Sequence, residues 1–135
     1  MDVIIGKIES ISRCLTRINE EYAQNDDNLS NITKQDSIIL NIQRACELSI
    51  DIGNFIISKY KFATPRVSKE VFDILYENKV ISQKILLNLQ KMVGFRNIAI
   101  HDYKKLDLNI IKLIINNNLN DFRDFCEEIL GFLKK

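Results

Sequence analysis

Ile4-Ile5-Gly6-Lys7-Ile8-Glu9-Ser10-Ile11-Ser12-Arg13-Cys14-Leu15-Thr16-Arg17-Ile18-Asn19-Glu20-Glu21-Tyr22 carries an apolar residue at every third or fourth position. Ile4, Ile8, Ile11, Leu15, Ile18 and Tyr22 therefore lie along one stripe of a helix, with Lys, Glu and Arg on the remaining surface. A half-buried strand would alternate with period two, and this stretch does not. The polar run Gln24 to Asn31 follows and reads as a loop.

The same spacing returns downstream. Ile38, Ile42, Ala45, Ile52 and Ile56 mark a second helix, with Thr33 or Asp36 as its cap and its end near Tyr60. Gly53 sits on its buried face, where a missing side chain lets a neighbour approach. Pro65 marks a connection. Ser68 is the expected N-cap of a short helix through Val71, Phe72 and Leu75, and Asn78 its stop. Ser82 caps a fourth helix with Ile85, Leu89, Met92 and Val93 on its inner face. A brief helix from Leu106 to Asn116 should end at Asn116-Asn117-Asn118. The last helix carries Phe122, Phe125, Cys126, Ile129 and Leu133. The expectation is an all-α, up-and-down bundle of four principal helices with one or two short ones.

Bulk composition agrees. The chain has 135 residues, enough for a single domain over 1–135 that buries its own core. One proline, four glycines and no tryptophan leave few breakers, which favours helices over a sheet with many tight turns. The net charge of +1 gives no global field for nucleic acid, so any anionic substrate must be held by local charge. Cys14, Cys46 and Cys126 are odd in number, far apart and within apolar stretches. They read as buried free thiols rather than disulfides or zinc ligands. The first residues lack the pattern of a secretory signal, and no stretch has the unbroken apolar length of a membrane span, so a cytoplasmic protein is expected.

Chemistry concentrates in Val93-Gly94-Phe95-Arg96-Asn97-Ile98-Ala99-Ile100-His101-Asp102-Tyr103. His101 is the single histidine. Such a residue is ordinarily structural, but Asn97, four positions earlier, shares its helix face and is placed to orient the imidazole. Arg96 reaches the same region from about 140° round the axis. Lys91, Lys104 and Lys105 add positive charge for RNA phosphates, although a charged helix end in solvent has the same composition. If the substrate is RNA, a histidine supplies acid–base catalysis and a guanidinium stabilises the phosphorane. One protomer offers one histidine, and a two-fold dimer would bring two of each residue to one cleft.

Other chemistries are poorly served. There is no glycine-rich phosphate loop, and scattered carboxylates such as Glu47, Asp51 and Glu70 form no metal set with one histidine. Glu47 and Asp51 read as a solvated helix face. Lys59, Lys61 and Arg66 read as a solvated loop.

The Arg96-to-Tyr103 stretch resembles the signature of HEPN-domain toxins of the HepT-like group: Arg, four to six residues, His, then Tyr two further on. The Pro65 connection, the short helix after it and the late apolar helix fit the same family. The resemblance implies a metal-independent endoribonuclease of the HEPN fold that needs no cofactor and dimerises to build a composite site. It further implies Arg96 and His101 as the catalytic pair with Asn97 as a polar helper. An MNT-type nucleotidyltransferase antitoxin would silence the toxin by transferring AMP to Tyr103. Two alternatives stand beside this reading. One is a non-catalytic nucleotide-binding or adaptor subunit of a nucleotidyltransferase complex. The other is a helical protein whose motif only stabilises a dimer.

Overall fold

The computed structural model describes residues 2–135. Four long α-helices form the bundle: α1 (Asp2–Tyr22), α2 (Ile32–Lys59), α4 (Gln83–His101) and α6 (Leu119–Leu133). Two short helices, α3 (Ser68–Glu77) and α5 (Leu108–Leu113), complete the set. No strand occurs among the described residues. The all-α, up-and-down bundle expected from periodicity is the architecture observed.

Side-chain ties fix the topology. Lys7 near the start of α1 pairs with Asp51 late in α2 at 3.5 Å, so these helices run antiparallel. The Tyr103 hydroxyl, just past α4, donates to Asp36 early in α2, which reverses α4 on α2. Ser82 bonds Glu128, and Asn88 bonds Asp121, so α6 reverses on α4. α6 also packs against α1, closing the ring, while α3 lies across α2 and α4.

Apolar stripes meet inside. Ile4, Ile11, Leu15 and Ile18 of α1 face Ile38, Ile42, Ile52 and Ile56 of α2, all within 1% of complete burial. Phe72 and Phe125 meet edge-on at 5.9 Å beside the buried Phe122. Gly53 is where α2 and α3 approach. A Cβ built there would lie 2.4 Å from Val71 Cγ1 and 3.2 Å from Leu75 Cδ1, so the expected close approach is real. Cys14, Cys46 and Cys126 are all buried free thiols.

Several boundaries differ from the sequence reading. Asn31 caps α2, its side chain accepting from the Lys34 N–H, in place of Thr33 or Asp36. Val67 occupies the cap position of α3, and Ser68 lies inside the helix with its hydroxyl turned to another partner. The three asparagines at 116–118 do not break the chain. Residues Ile114–Asn118 form a π turn that joins α5 to α6 and buries the consecutive Ile114 and Ile115. Leu133 is only partly buried. Ser82 and Asn78 stand where expected, as N-cap of α4 and C-cap of α3.

With so few glycines, helices end on other residues. Lys61 and Lys79 take φ of 57° and 60° just past α2 and α3. The N–H of Phe62 then reaches Ile57 O, and that of Val80 reaches Leu75 O, the bonds that close a Schellman motif.

Candidate functional site

The site is built on the C-terminal half of α4. Ser82 starts the helix, accepting from the Ile85 N–H while its own N–H and hydroxyl donate to Glu128 of α6 at 2.6 and 2.9 Å. Ile85, Leu89, Met92, Val93 and Ala99 hold its inner face in the core. That anchoring sets the rotation of the helix and so the directions of Arg96 and His101.

Arg96 turns inward toward α2 and α3. Its Nη2 donates to Ser68 Oγ at 2.9 Å, and its Nε is buried without a hydrogen-bond partner. Arg96 and Ser68 share a cavity of about 320 Å³ with Glu47, Ile50 and Asp51 of α2. No carboxylate lies within ion-pair distance of Arg96 among the described residues. A guanidinium held by one neutral hydroxyl, with an unsatisfied N–H, keeps donors for an incoming anion.

His101 is the last residue of α4 and is exposed. Among the described residues its imidazole has no hydrogen-bond partner, and the expected Asn97–His101 bond does not form: Asn97 is exposed and unattached. Five helical residues separate Arg96 from His101 by about 7.5 Å of rise and about 140° of rotation. One protomer therefore points the two side chains apart.

Tyr103 follows in a short 3₁₀ turn, Tyr103–Lys105, its ring half-exposed and its hydroxyl donating to Asp36. Partial burial, then the hydrogen bond to Asp36 and its negative charge, push the phenol up to about 12. The hydroxyl is thus fixed and protonated at neutral pH. The lysines do not gather at Arg96. Lys91 and Lys105 rim a separate apolar groove of about 390 Å³ whose walls include Met92, Phe95, Ile98 and Ile110. Lys105 also pairs with Asp102 at 3.2 Å, and Lys104 is exposed.

Sequence reading missed Ser68, Glu47 and Asp51 as neighbours of Arg96. Glu47 and Asp51 lie one turn apart on α2, and no local spacing reports which helix will pack beside them. Only the α2–α3–α4 arrangement does.

Known proteins resemble this chain over nearly its whole length. Residues 4–129 match the protein family described as ribonuclease HepT-like. The mRNA nuclease HepT of Shewanella oneidensis is 43% identical over 128 residues, covering 95% of this chain and 96% of that protein. The tRNA nuclease HepT of Aphanizomenon flos-aquae is 25% identical, covering 97% and 90%. The solved structure of the tri-AMPylated Shewanella oneidensis HEPN toxin in complex with its MNT antitoxin superposes with a TM-score of 0.92. It is 42% identical and covers 97% of this chain and 98% of that one.

Proposed function

The chain belongs to the ribonuclease HepT-like family, and from that premise we propose that it is the toxin of a toxin–antitoxin pair, cutting RNA without metal through Arg96 and His101 of two protomers. The observation that carries the reading is the Arg96 guanidinium, held by Ser68 with a buried Nε still lacking a partner, on the same helix as an exposed histidine.

In the proposed reaction the 2′-hydroxyl of a ribose attacks the adjacent phosphorus. The 5′-oxygen of the next nucleotide leaves, and a 2′,3′-cyclic phosphate remains. His101 moves the protons, and Arg96 stabilises the charge on the phosphorane by paired N–H donors. Because Arg96 and His101 of one chain point apart, a cleft shared by two copies is the economical way to bring one of each to a phosphate.

The surface of α4 supports such a dimer. The helix is apolar on two sides: one is in the core, while Leu87 and Ile98, eleven positions and so about 20° apart, share the outward side and are 50% and 43% exposed. Ile110 and Leu113 of the neighbouring segment are also exposed, at 48% and 57%. Ile98, Ile110 and Leu113 border one groove, and a contiguous apolar surface of this kind marks a place where a partner packs.

Silencing is assigned to Tyr103. An MNT-type nucleotidyltransferase would move AMP from ATP to its hydroxyl, releasing pyrophosphate, with Asp36 placed to take the phenol proton. Adenylate at that position adds bulk and negative charge where the RNA phosphate must enter. No helix among the described residues is long and apolar enough to cross a membrane, and RNA cleavage in the cytoplasm is the setting that this role requires.

The test is cleavage of total RNA by the purified chain in chelator, wild type beside His101→Ala. The wild type should give 2′,3′-cyclic ends, and the variant should lose at least about a hundredfold in rate, the usual contribution of a general acid–base group. Equal cleavage by both would remove His101 from the mechanism.

A further inference from the structure

Net charge gives this chain almost no attraction for RNA, and the lysines after His101 do not converge. The strongest basic cluster lies elsewhere. Arg13 and Arg17 of α1 and Arg44 of α2, three of the chain's six arginines, line a cavity of about 510 Å³ between the two helices. They are 27 to 31 positions apart in sequence across the hairpin, so only the antiparallel packing of α1 on α2 gathers them.

None of the three is spent on a carboxylate. Among the described residues no acidic group lies within ion-pair distance of Arg13, Arg17 or Arg44. Arg13 donates to the neutral Ser10 hydroxyl at 2.9 Å. The two carboxylates at the same cavity, Glu47 and Asp51, are already engaged, Glu47 by the Gln43 amide at 3.0 Å and Asp51 by Lys7. Two of the guanidiniums act on a common point: burial raises the Cys14 thiol that lines the groove, and Arg44 and Arg13 oppose that shift. Asn41 and Ser10 add neutral polar groups.

The position completes the argument. Glu47 and Asp51 also line the cavity of Arg96, so the groove and the Arg96 pocket share one wall on α2. We propose that the α1–α2 groove is a second RNA site, in which Arg13, Arg17 and Arg44 bind the phosphate backbone of the strand whose scissile phosphate lies at Arg96. This rests on the nuclease reading for the identity of the strand, but binding in the groove requires no cleavage. Arginine suits the task because its planar donors take phosphate oxygens in pairs and do not read base identity.

The test uses a short labelled single-stranded RNA with 2′-O-methyl sugars, which lacks the attacking hydroxyl and cannot be cut. Binding to the full chain is followed by anisotropy across roughly 50 to 200 mM salt, where phosphate contacts weaken steeply. Wild type is compared with Arg17→Gln/Arg44→Gln, a variant of two exposed side chains whose folding is checked by thermal melting. Losing two phosphate contacts should weaken binding about tenfold or more and lower the slope of log affinity against log salt by about 1.4. On cleavable RNA the variant should raise KM and leave kcat near the wild-type value.

Unchanged affinity and slope would overturn the proposal. So would a variant that keeps RNA but loses the nucleotidyltransferase or its own dimer, since the groove would then be a protein contact. The two readings fail separately. A wild type that binds through the groove but cuts nothing would refute the nuclease alone, and one that cuts while the variant binds normally would refute the groove alone.

Discussion

At the scale of single residues, the proposed chemistry depends on three side chains and their immediate partners. Arg96, His101 and Tyr103 stand out in the sequence because a lone histidine is flanked by an arginine and a tyrosine at fixed spacing. Their partners do not stand out. Ser68 is 28 positions from Arg96 and Asp36 is 67 from Tyr103, and nothing near either residue announces the pairing. Ser68 reads as a helix cap until the structure shows its hydroxyl accepting from a guanidinium. Asp36 also acts on the acidity of the phenol. It is the second cause, after burial, of the rise in Tyr103 from its ordinary 10 to about 12. Asp36→Asn should move the Tyr103 titration part of the way back toward 10, with burial holding the remainder. A spectrophotometric titration beside Tyr103→Phe, which identifies that residue among the four tyrosines, reads this directly. An unmoved titration would mean that Asp36 does not hold the hydroxyl in solution.

At the scale of helices, periodicity was a faithful guide to interiors and a poor one to ends. The apolar stripes of α1 and α2 are buried as their spacing requires. The ends depend on one hydrogen bond each, and several candidate caps occur within a few residues, so Asn31 rather than Thr33 or Asp36 could be identified only from its contact with the Lys34 N–H. Asn116 to Asn118 illustrate a second limit. Asparagine is a weak helix former, so a run of three reads as a break, yet a π turn carries the helix through and buries two adjacent isoleucines. Gly53 is where helix propensity and packing oppose each other. Gly53→Ala gains about 1 kcal/mol of helix propensity. It also drives a methyl into Val71, whose branched side chain has little freedom to move, at a cost of roughly 1–3 kcal/mol. Packing should win, and urea unfolding should show a net loss of up to about 2 kcal/mol. A stabilised variant would mean that α3 slides away from α2 without penalty.

At the scale of the whole molecule, the bundle buries groups that would otherwise ionise. Burial pushes the Cys46 and Cys126 thiols up to about 12 from 9.0. Between pH 9 and 12 the unfolded chain ionises these thiols and the folded chain does not, so unfolding releases protons and stability falls as pH rises. Tyr103 adds to the same trend above pH 10. Melting temperature should therefore decline progressively above pH 9, and Cys46→Ser/Cys126→Ser should flatten that decline whatever it does to stability at neutral pH. A decline of the same steepness in the variant would place its origin elsewhere. The charge pattern also resolves only at this scale. A net charge of +1 conceals a groove of three unpaired arginines, because the residues meet across two helices. The proposed dimer belongs here as well: Ile98, Ile110 and Leu113 are unremarkable letters in an isoleucine-rich sequence and become one exposed surface only once α4 and the segment after it are packed.

Subunit mixing tests whether Arg96 and His101 of different protomers form one site. Arg96→Gln and His101→Ala should each be inactive alone in metal-free RNA cleavage. When the two are unfolded together and refolded, mixed dimers place the intact Arg96 of one protomer opposite the intact His101 of the other, and cleavage should return to a fraction of wild type. A mixture that forms dimers yet stays as inactive as its components, beside an active wild type treated identically, would mean that Arg96 and His101 act within one chain and would contradict the account.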